Sequence, residues 1–70
     1  MRTKLINTKN PTGAYRFIGQ TGTLNINNGT FTFVSDNGMF FSGNISEKEF
    51  SGSNTIIIKT ENNVFTFEVM

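Results

Sequence analysis

Leu24-Asn25-Ile26-Asn27-Asn28-Gly29-Thr30-Phe31-Thr32-Phe33 decides the fold. Asn-Gly is the strongest two-residue hairpin loop, because both residues tolerate positive φ. With Asn28-Gly29 as the loop, Ile26 stands opposite Phe31 and Leu24 opposite Phe33. These four apolar side chains then share one face, and Asn25 and Thr32 share the other. Turn chemistry and the two-residue hydrophobic period therefore agree on one register.

Working outward, Asp36-Asn37-Gly38 separates this hairpin from Met39–Ile45. A two-residue Asn37-Gly38 loop would set Phe33 against Ser42. A three-residue loop with Gly38 as the bulge sets Phe33 against Phe41, Phe31 against Gly43, and Val34 against Phe40 on the opposite face. The second arrangement keeps the large rings together and is the one expected. A third hairpin runs from Thr55–Glu61 through Asn62-Asn63 to Val64–Met70. A two-residue loop there pairs Thr60 with Phe65, Ile58 with Phe67 and Ile56 with Val69.

The remaining segments are shorter. Ser46 and Glu49 have capping-box spacing, so a helical turn near 46–50 is expected, with Phe50 dropping into the core. Ala14–Gln20 reads as a strand with Tyr15 and Phe17 on one face, and residues 2–7 as a short strand. Thr8–Gly13, with the only proline, Pro11, reads as a turn. The expected fold is all-β: one domain over 1–70, an antiparallel meander of five to six strands forming a barrel or half-barrel. Its inner set is Phe17, Leu24, Ile26, Phe31, Phe33, Phe41, Ile45, Phe50, Ile56, Ile58, Phe65, Phe67 and Val69.

Composition supports strands and excludes much chemistry. The 70 residues include eight Phe, no Cys and no His. Phe rings bury large apolar areas. Without Cys there is no disulfide or thiolate metal site. Without His the commonest general base and metal ligand are missing. Glu47 and Glu49 read as a solvated capping segment, and no carboxylate pair is aimed into a cleft. Asp36-Asn37-Gly38 lacks the further ligands of a calcium loop. Asn28-Gly29-Thr30 and Asn44-Ile45-Ser46 match the glycosylation pattern, but hairpin geometry accounts for them. The expectation is no enzyme, no cofactor and no metal. No apolar run has the length of a membrane span, and Met1–Ile6 lacks the apolar stretch of a signal peptide. A cytoplasmic protein is therefore expected.

The stretch from Gly22 to Val69 resembles bacterial pleckstrin-homology-like and GRAM-type domains. The residues that carry the resemblance are Gly22-Thr23-Leu24-Asn25-Ile26, Phe31-Thr32-Phe33, Ile45-Ser46, Thr55-Ile56-Ile57-Ile58-Lys59-Thr60 and Phe65-Thr66-Phe67-Glu68-Val69. The family's C-terminal helix has no counterpart here, which implies a barrel mouth plugged by another chain or by the N-terminal segment. The family's phosphoinositide site finds no matching basic loop cluster. What the resemblance implies is an interaction module.

Two functional readings follow. In the first, Val34, Phe40 and Ile57 all face outward, where an antiparallel sheet normally shows polar groups. Either the N-terminal segment covers them through Leu5 and Ile6, or they form a surface for a protein partner or a homodimer. This is a non-enzymatic adaptor or inhibitor acting by surface contact, of a kind encoded by bacteria, phages or mobile elements. Free sheet edges offer a second route, by strand addition. In the alternative, Tyr15, Arg16 and Phe17 with Lys4 and Lys9 form a single-stranded nucleic-acid site. Charge is uneven in a way that bears on both: residues 1–35 hold Arg2, Lys4, Lys9 and Arg16 and no acid, whereas residues 36–70 hold five acids against Lys48 and Lys59.

Overall fold

The computed structural model describes residues 1–10 and 13–70. Among these residues, seven antiparallel strands form one sheet: β1 (Arg2–Thr8), β2 (Thr21–Asn27), β3 (Thr30–Ser35), β4 (Phe40–Asn44), β5 (Glu47–Ser51), β6 (Thr55–Lys59) and β7 (Val64–Val69). Their order across the sheet is β4-β3-β2-β1-β7-β6-β5. The first two hairpins have the registers that their turns dictate. Ile26 pairs with Phe31 and Leu24 with Phe33. Asn28 and Gly29 both have positive φ, +46° and +83°, as a two-residue loop of this type needs. Phe33 pairs with Phe41 and Val34 with Phe40. The Asp36–Gly38 loop between them is fixed by Gly38 N–H donating to the Ser35 carbonyl at 3.0 Å and Ser35 N–H donating to the Met39 carbonyl at 2.8 Å.

Four elements differ from expectation. The count is seven strands rather than five or six, because Glu47–Ser51 is a strand and not a helical turn. It pairs along its length with β6, from Glu47 opposite Lys59 to Ser51 opposite Thr55. A whole ladder of backbone hydrogen bonds outweighs the one or two that a capped turn would supply. Phe50 consequently does not enter the core. It lies on the side of Ile56, but β5 is an edge strand and the ring is 66% exposed.

The second difference is Gly13–Phe17, a single 3-10 helix rather than the start of a strand over Ala14–Gln20. β2 pairs with β1 only over Arg2–Lys4, and the chain before β2 meets β1 at Leu5, whose N–H donates to the Gln20 carbonyl at 3.1 Å and whose carbonyl accepts from Gly19 N–H at 2.7 Å. Gly19, at φ +90°, turns the chain there, so the pairing does not run back into Gly13–Phe17. Its Phe17 is buried all the same. The turn expected at Thr8–Gly13 includes Pro11 and Thr12, which lie outside the described residues. The third difference is the β6–β7 register, in which Ile58 pairs with Phe65 and Ile56 with Phe67, two residues away from the two-residue-loop solution. Thr60 N–H donates to the Asn63 carbonyl at 2.9 Å, and Asn63 N–H donates to Thr60 Oγ1 at 3.1 Å, so the loop closes one pair earlier. A slip of two keeps every side chain on its face. The fourth is β1, which is longer than a short strand, sits in the middle of the sheet, and carries a bulge at Ile6.

One side of the sheet curls around a cluster of rings. Phe31 and Phe33 on β3 lie 5.4 Å, centroid to centroid, from Phe65 and Phe67 on β7 respectively. Phe41 on β4 lies 5.3 Å from Phe65. Strands two or more places apart thus meet across the interior. Leu5, Leu24, Ile56 and Ile58 complete the buried set, and Phe17 closes one end with its centroid 4.9 Å from Phe41. Full burial of each such side chain stabilises by about 1.5–3 kcal/mol. The two edge strands, β4 and β5, do not pair with each other, so the sheet is not closed by hydrogen bonds. Only Ile45 and Ser46 separate them. Ile45 N–H donates to the Gly29 carbonyl and Ser46 N–H to the Lys59 carbonyl at 2.8 Å, so the chain leaves one end of the sheet and joins the other within two residues.

Candidate functional site

Val34 and Phe40 are directly opposite on the outer side of the β3–β4 hairpin and are 39% and 67% exposed. The cross-strand rank continues inward through Thr23 on β2 to Arg2 on β1. The N-terminal segment does not cover the pair. Leu5 is fully buried in the core, Ile6 is exposed at the bulge, and β1 is held between β2 and β7.

Register places two further ranks on the same outer side of β2, β3 and β4: Asn25, Thr32 and Ser42, then Asn27, Thr30 and Asn44. Together with Thr23, Val34 and Phe40 they make a face with no charged side chain. Charges gather on the other half of the outer side. Lys4 faces Glu68 across β1 and β7, and Lys59 Nζ lies 3.5 Å from Glu47 Oε2.

The tip of the β3–β4 hairpin is clamped to β1 and β2. Arg2 donates from Nη1 and Nη2 to the two Asp36 carboxylate oxygens at 2.7 and 2.8 Å, and Thr21 Oγ1 donates to Asp36 Oδ2 at 2.7 Å. These hydrogen bonds, that from Arg2 first, hold the Asp36 carboxyl well below the usual carboxylate range, and Asp36 raises Arg2 in turn. The clamp fixes where Val34 and Phe40 are presented.

Ile57, the third residue of the expected surface, stands elsewhere. It is half-buried on β6, opposite Thr66 on β7 and Glu49 on β5. In the sheet order β2, β1 and β7 lie between its strand and β3.

The residues of the nucleic-acid alternative are not gathered on one platform. Tyr15 and Arg16 are exposed on the 3-10 helix, but the Phe17 ring is buried against Phe33 and Phe41. Lys4 is half-buried on β1, and Lys9 lines a cleft of about 330 Å³ together with Lys59 and Glu61. Two other clefts, about 340 and 250 Å³, contain Asp36 and Glu61 respectively as their only carboxylates. None of the three offers the paired carboxylates of acid–base chemistry. Among the described residues no group of three His, Cys, Asp or Glu side chains is placed to hold a metal ion. Likewise, no described helix is long and apolar enough to cross a membrane.

Sequence reasoning missed Met39, which is 45% exposed beside Phe40. It offered free sheet edges without naming the strands; the structure places them at β4 and β5. Comparison with protein-family models, with curated proteins and with solved structures finds no match for this chain.

Proposed function

We propose that this chain is a non-enzymatic, cytoplasmic protein-binding module, an adaptor or inhibitor that acts through the outer side of the β3–β4 hairpin. The observation that carries the reading is the exposure of the Phe40 ring beside Val34, at the margin of an uncharged face. A ring left in water forfeits the stabilisation of about 1.5–3 kcal/mol that burial would give. Contact with a partner recovers it, and an uncharged surround adds no ion to be desolvated. The interaction module implied by the pleckstrin-homology-like and GRAM-type resemblance belongs to the same proposal. Ile57 is left out of the contact surface, because the strand order separates it from the hairpin.

The test compares immobilised wild type with Phe40→Asp and, as a control on the far edge, Glu49→Lys. Phe40→Asp should keep the far-ultraviolet circular dichroism and thermal midpoint of the wild type. A protein partner retained by wild type and by Glu49→Lys should be absent from Phe40→Asp. The same retained proteins on all three would overturn the proposal. So would unfolding of Phe40→Asp, since Phe40 would then be part of the folding core.

A further inference from the structure

Two Asn-Gly pairs, Asn28-Gly29 and Asn37-Gly38, sit at hairpin turns, and the fold treats them differently. Asn-Gly is chemically labile as well as turn-forming. Glycine has no side chain to keep its amide nitrogen away from the side-chain carbonyl carbon of the asparagine before it. All four residues are exposed, so access to water does not separate the pairs. Hydrogen bonding does.

At Asn37 both reacting groups are held. Asn37 Oδ1 accepts from Ser35 Oγ and, at 3.1 Å, from Met39 N–H. The nitrogen that would attack, that of Gly38, donates its N–H to the Ser35 carbonyl at 3.0 Å. At Asn28 neither group is held. Its side chain makes no hydrogen bond within the described chain, and neither does the N–H or the carbonyl of the peptide that joins it to Gly29. The turn is closed outside that peptide, where Thr30 Oγ1 donates to the Asn27 carbonyl at 2.8 Å.

We infer that Asn28 is a site of spontaneous deamidation and that the fold protects Asn37 from the same reaction. The Gly29 nitrogen gives up its proton to water or hydroxide and bonds to Asn28 Cγ. The bond from Cγ to Nδ2 breaks, and Nδ2 takes up a proton and leaves as ammonia. Water then opens the five-membered succinimide at one of its two carbonyls. Opening on one side gives aspartate at position 28. Opening on the other gives isoaspartate, in which the main chain runs through Cβ and Cγ. The sum is one water consumed and one ammonia released, with no change of oxidation state.

Isoaspartate adds one carbon to the backbone of a two-residue loop. That loop sets the β2–β3 register, and its Gly29 carbonyl accepts from Ile45 N–H at 2.6 Å, at the corner where the chain passes from β4 to β5. Isoaspartate at position 28 therefore loosens the Ile45 corner. Aspartate suits the same turn and leaves the corner in place.

The experiment incubates wild type in mildly alkaline buffer, folded and in urea, and follows both positions over time. Chymotryptic cleavage after Phe31 or Phe33 separates them. Mass reports deamidation, and enzymatic carboxyl methylation marks isoaspartate. In the folded protein position 28 should react at least about tenfold faster than position 37, because three hydrogen bonds of ordinary strength must break first at Asn37. In urea the two should react alike. Equal rates in the folded protein, or a faster position 37, overturn the inference. So does a position 28 that reacts in urea and stays intact in the folded protein. The same ratio in urea as in the folded state also overturns it, since flanking sequence and not the fold would then set the difference. Amide exchange of Ile45 should be faster in the isoaspartate form than in Asn28→Asp. Equal exchange there overturns the link between the loop and the corner.

Discussion

The Asn63 side chain binds Asn10 in both directions: Asn63 Oδ1 accepts from Asn10 N–H at 2.8 Å, and Asn63 Nδ2 donates to the Asn10 carbonyl at 3.2 Å. A side-chain amide thus takes the place of one more backbone pair between the end of β1 and the β6–β7 loop. Oδ1 also accepts from Val64 N–H at 2.8 Å, and the residue is buried. Replacing it by Ala removes the side-chain partner of three part-buried backbone groups, Asn10 N–H, the Asn10 carbonyl and Val64 N–H. Asn63→Ala should therefore cost about 2 kcal/mol, the sum of a few modest hydrogen bonds. The check is a urea unfolding curve with an unchanged slope and a lower midpoint. Asn62→Ala, at an exposed position one residue away, should shift the midpoint far less.

Gly22 on β2 packs directly against the backbone of β3. A Cβ built there would collide with the Val34 carbonyl oxygen and stand 2.7 Å from Ser35 Cα, both backbone atoms that cannot move without breaking the ladder. Gly22→Ala should cost about 3 kcal/mol, toward the upper end for overpacking. Gly13, whose Cβ would meet nothing within 4 Å, supplies the comparison: Gly13→Ala should be close to neutral. Equal thermal midpoints for the two variants would contradict the close approach.

The parts of this fold that were legible in the sequence are those decided locally. In β2–β3 and β3–β4 the turn residues and the alternation of Leu24, Ile26, Phe31, Phe33 and Phe41 point to the same register. The β6–β7 register was not legible, because Asn63 is claimed by Asn10, fifty-three residues away. Ser46 and Glu49 carried a true capping signal, overridden by the pairing that β6 offers to β5. Phe17 was legible as a core ring but not as a helical residue, since the turn at Gly19 and the bonds of Gly19 and Gln20 to Leu5, which end the pairing short of it, belong to the tertiary arrangement. The same holds for the surface. Alternation alone turns Val34, Phe40 and Ile57 outward, but strand order decides which of them are neighbours. That order depends on β1 entering between β2 and β7.

The Arg2–Asp36 clamp should make stability depend on pH on the acid side. The folded carboxyl titrates below its unfolded value, so the folded state resists protonation there. Its contribution is fully present above the ordinary carboxylate range, about pH 4, and is lost as pH falls through the depressed folded value. Both partners are exposed, so salt should weaken the effect. Thermal midpoints from pH 7 down to about pH 2 should fall less steeply for Asp36→Asn than for wild type, with the two curves converging at the acid end. Parallel curves would mean that the clamp adds nothing to folding.

Phe50 and Phe67 sit on the same side of the sheet, near opposite ends of the burial scale, and they separate what the ring cluster does from what an edge ring does. Phe67 is fully buried and lies 5.4 Å from Phe33 and 6.4 Å from Phe31, centroid to centroid. Phe67→Ala should cost about 4 kcal/mol, as large-to-small changes in aromatic cores do. A domain of this size has about 5 kcal/mol in total, so this variant should be largely unfolded at modest temperature. Phe50, at the free edge of β5, makes none of those ring contacts, and Phe50→Ala should stay within about 0.5 kcal/mol of wild type. Circular dichroism melts of the two variants decide the matter. A severe loss in Phe50→Ala would mean that the core extends under β5 and that the seam between β4 and β5 is closed in solution.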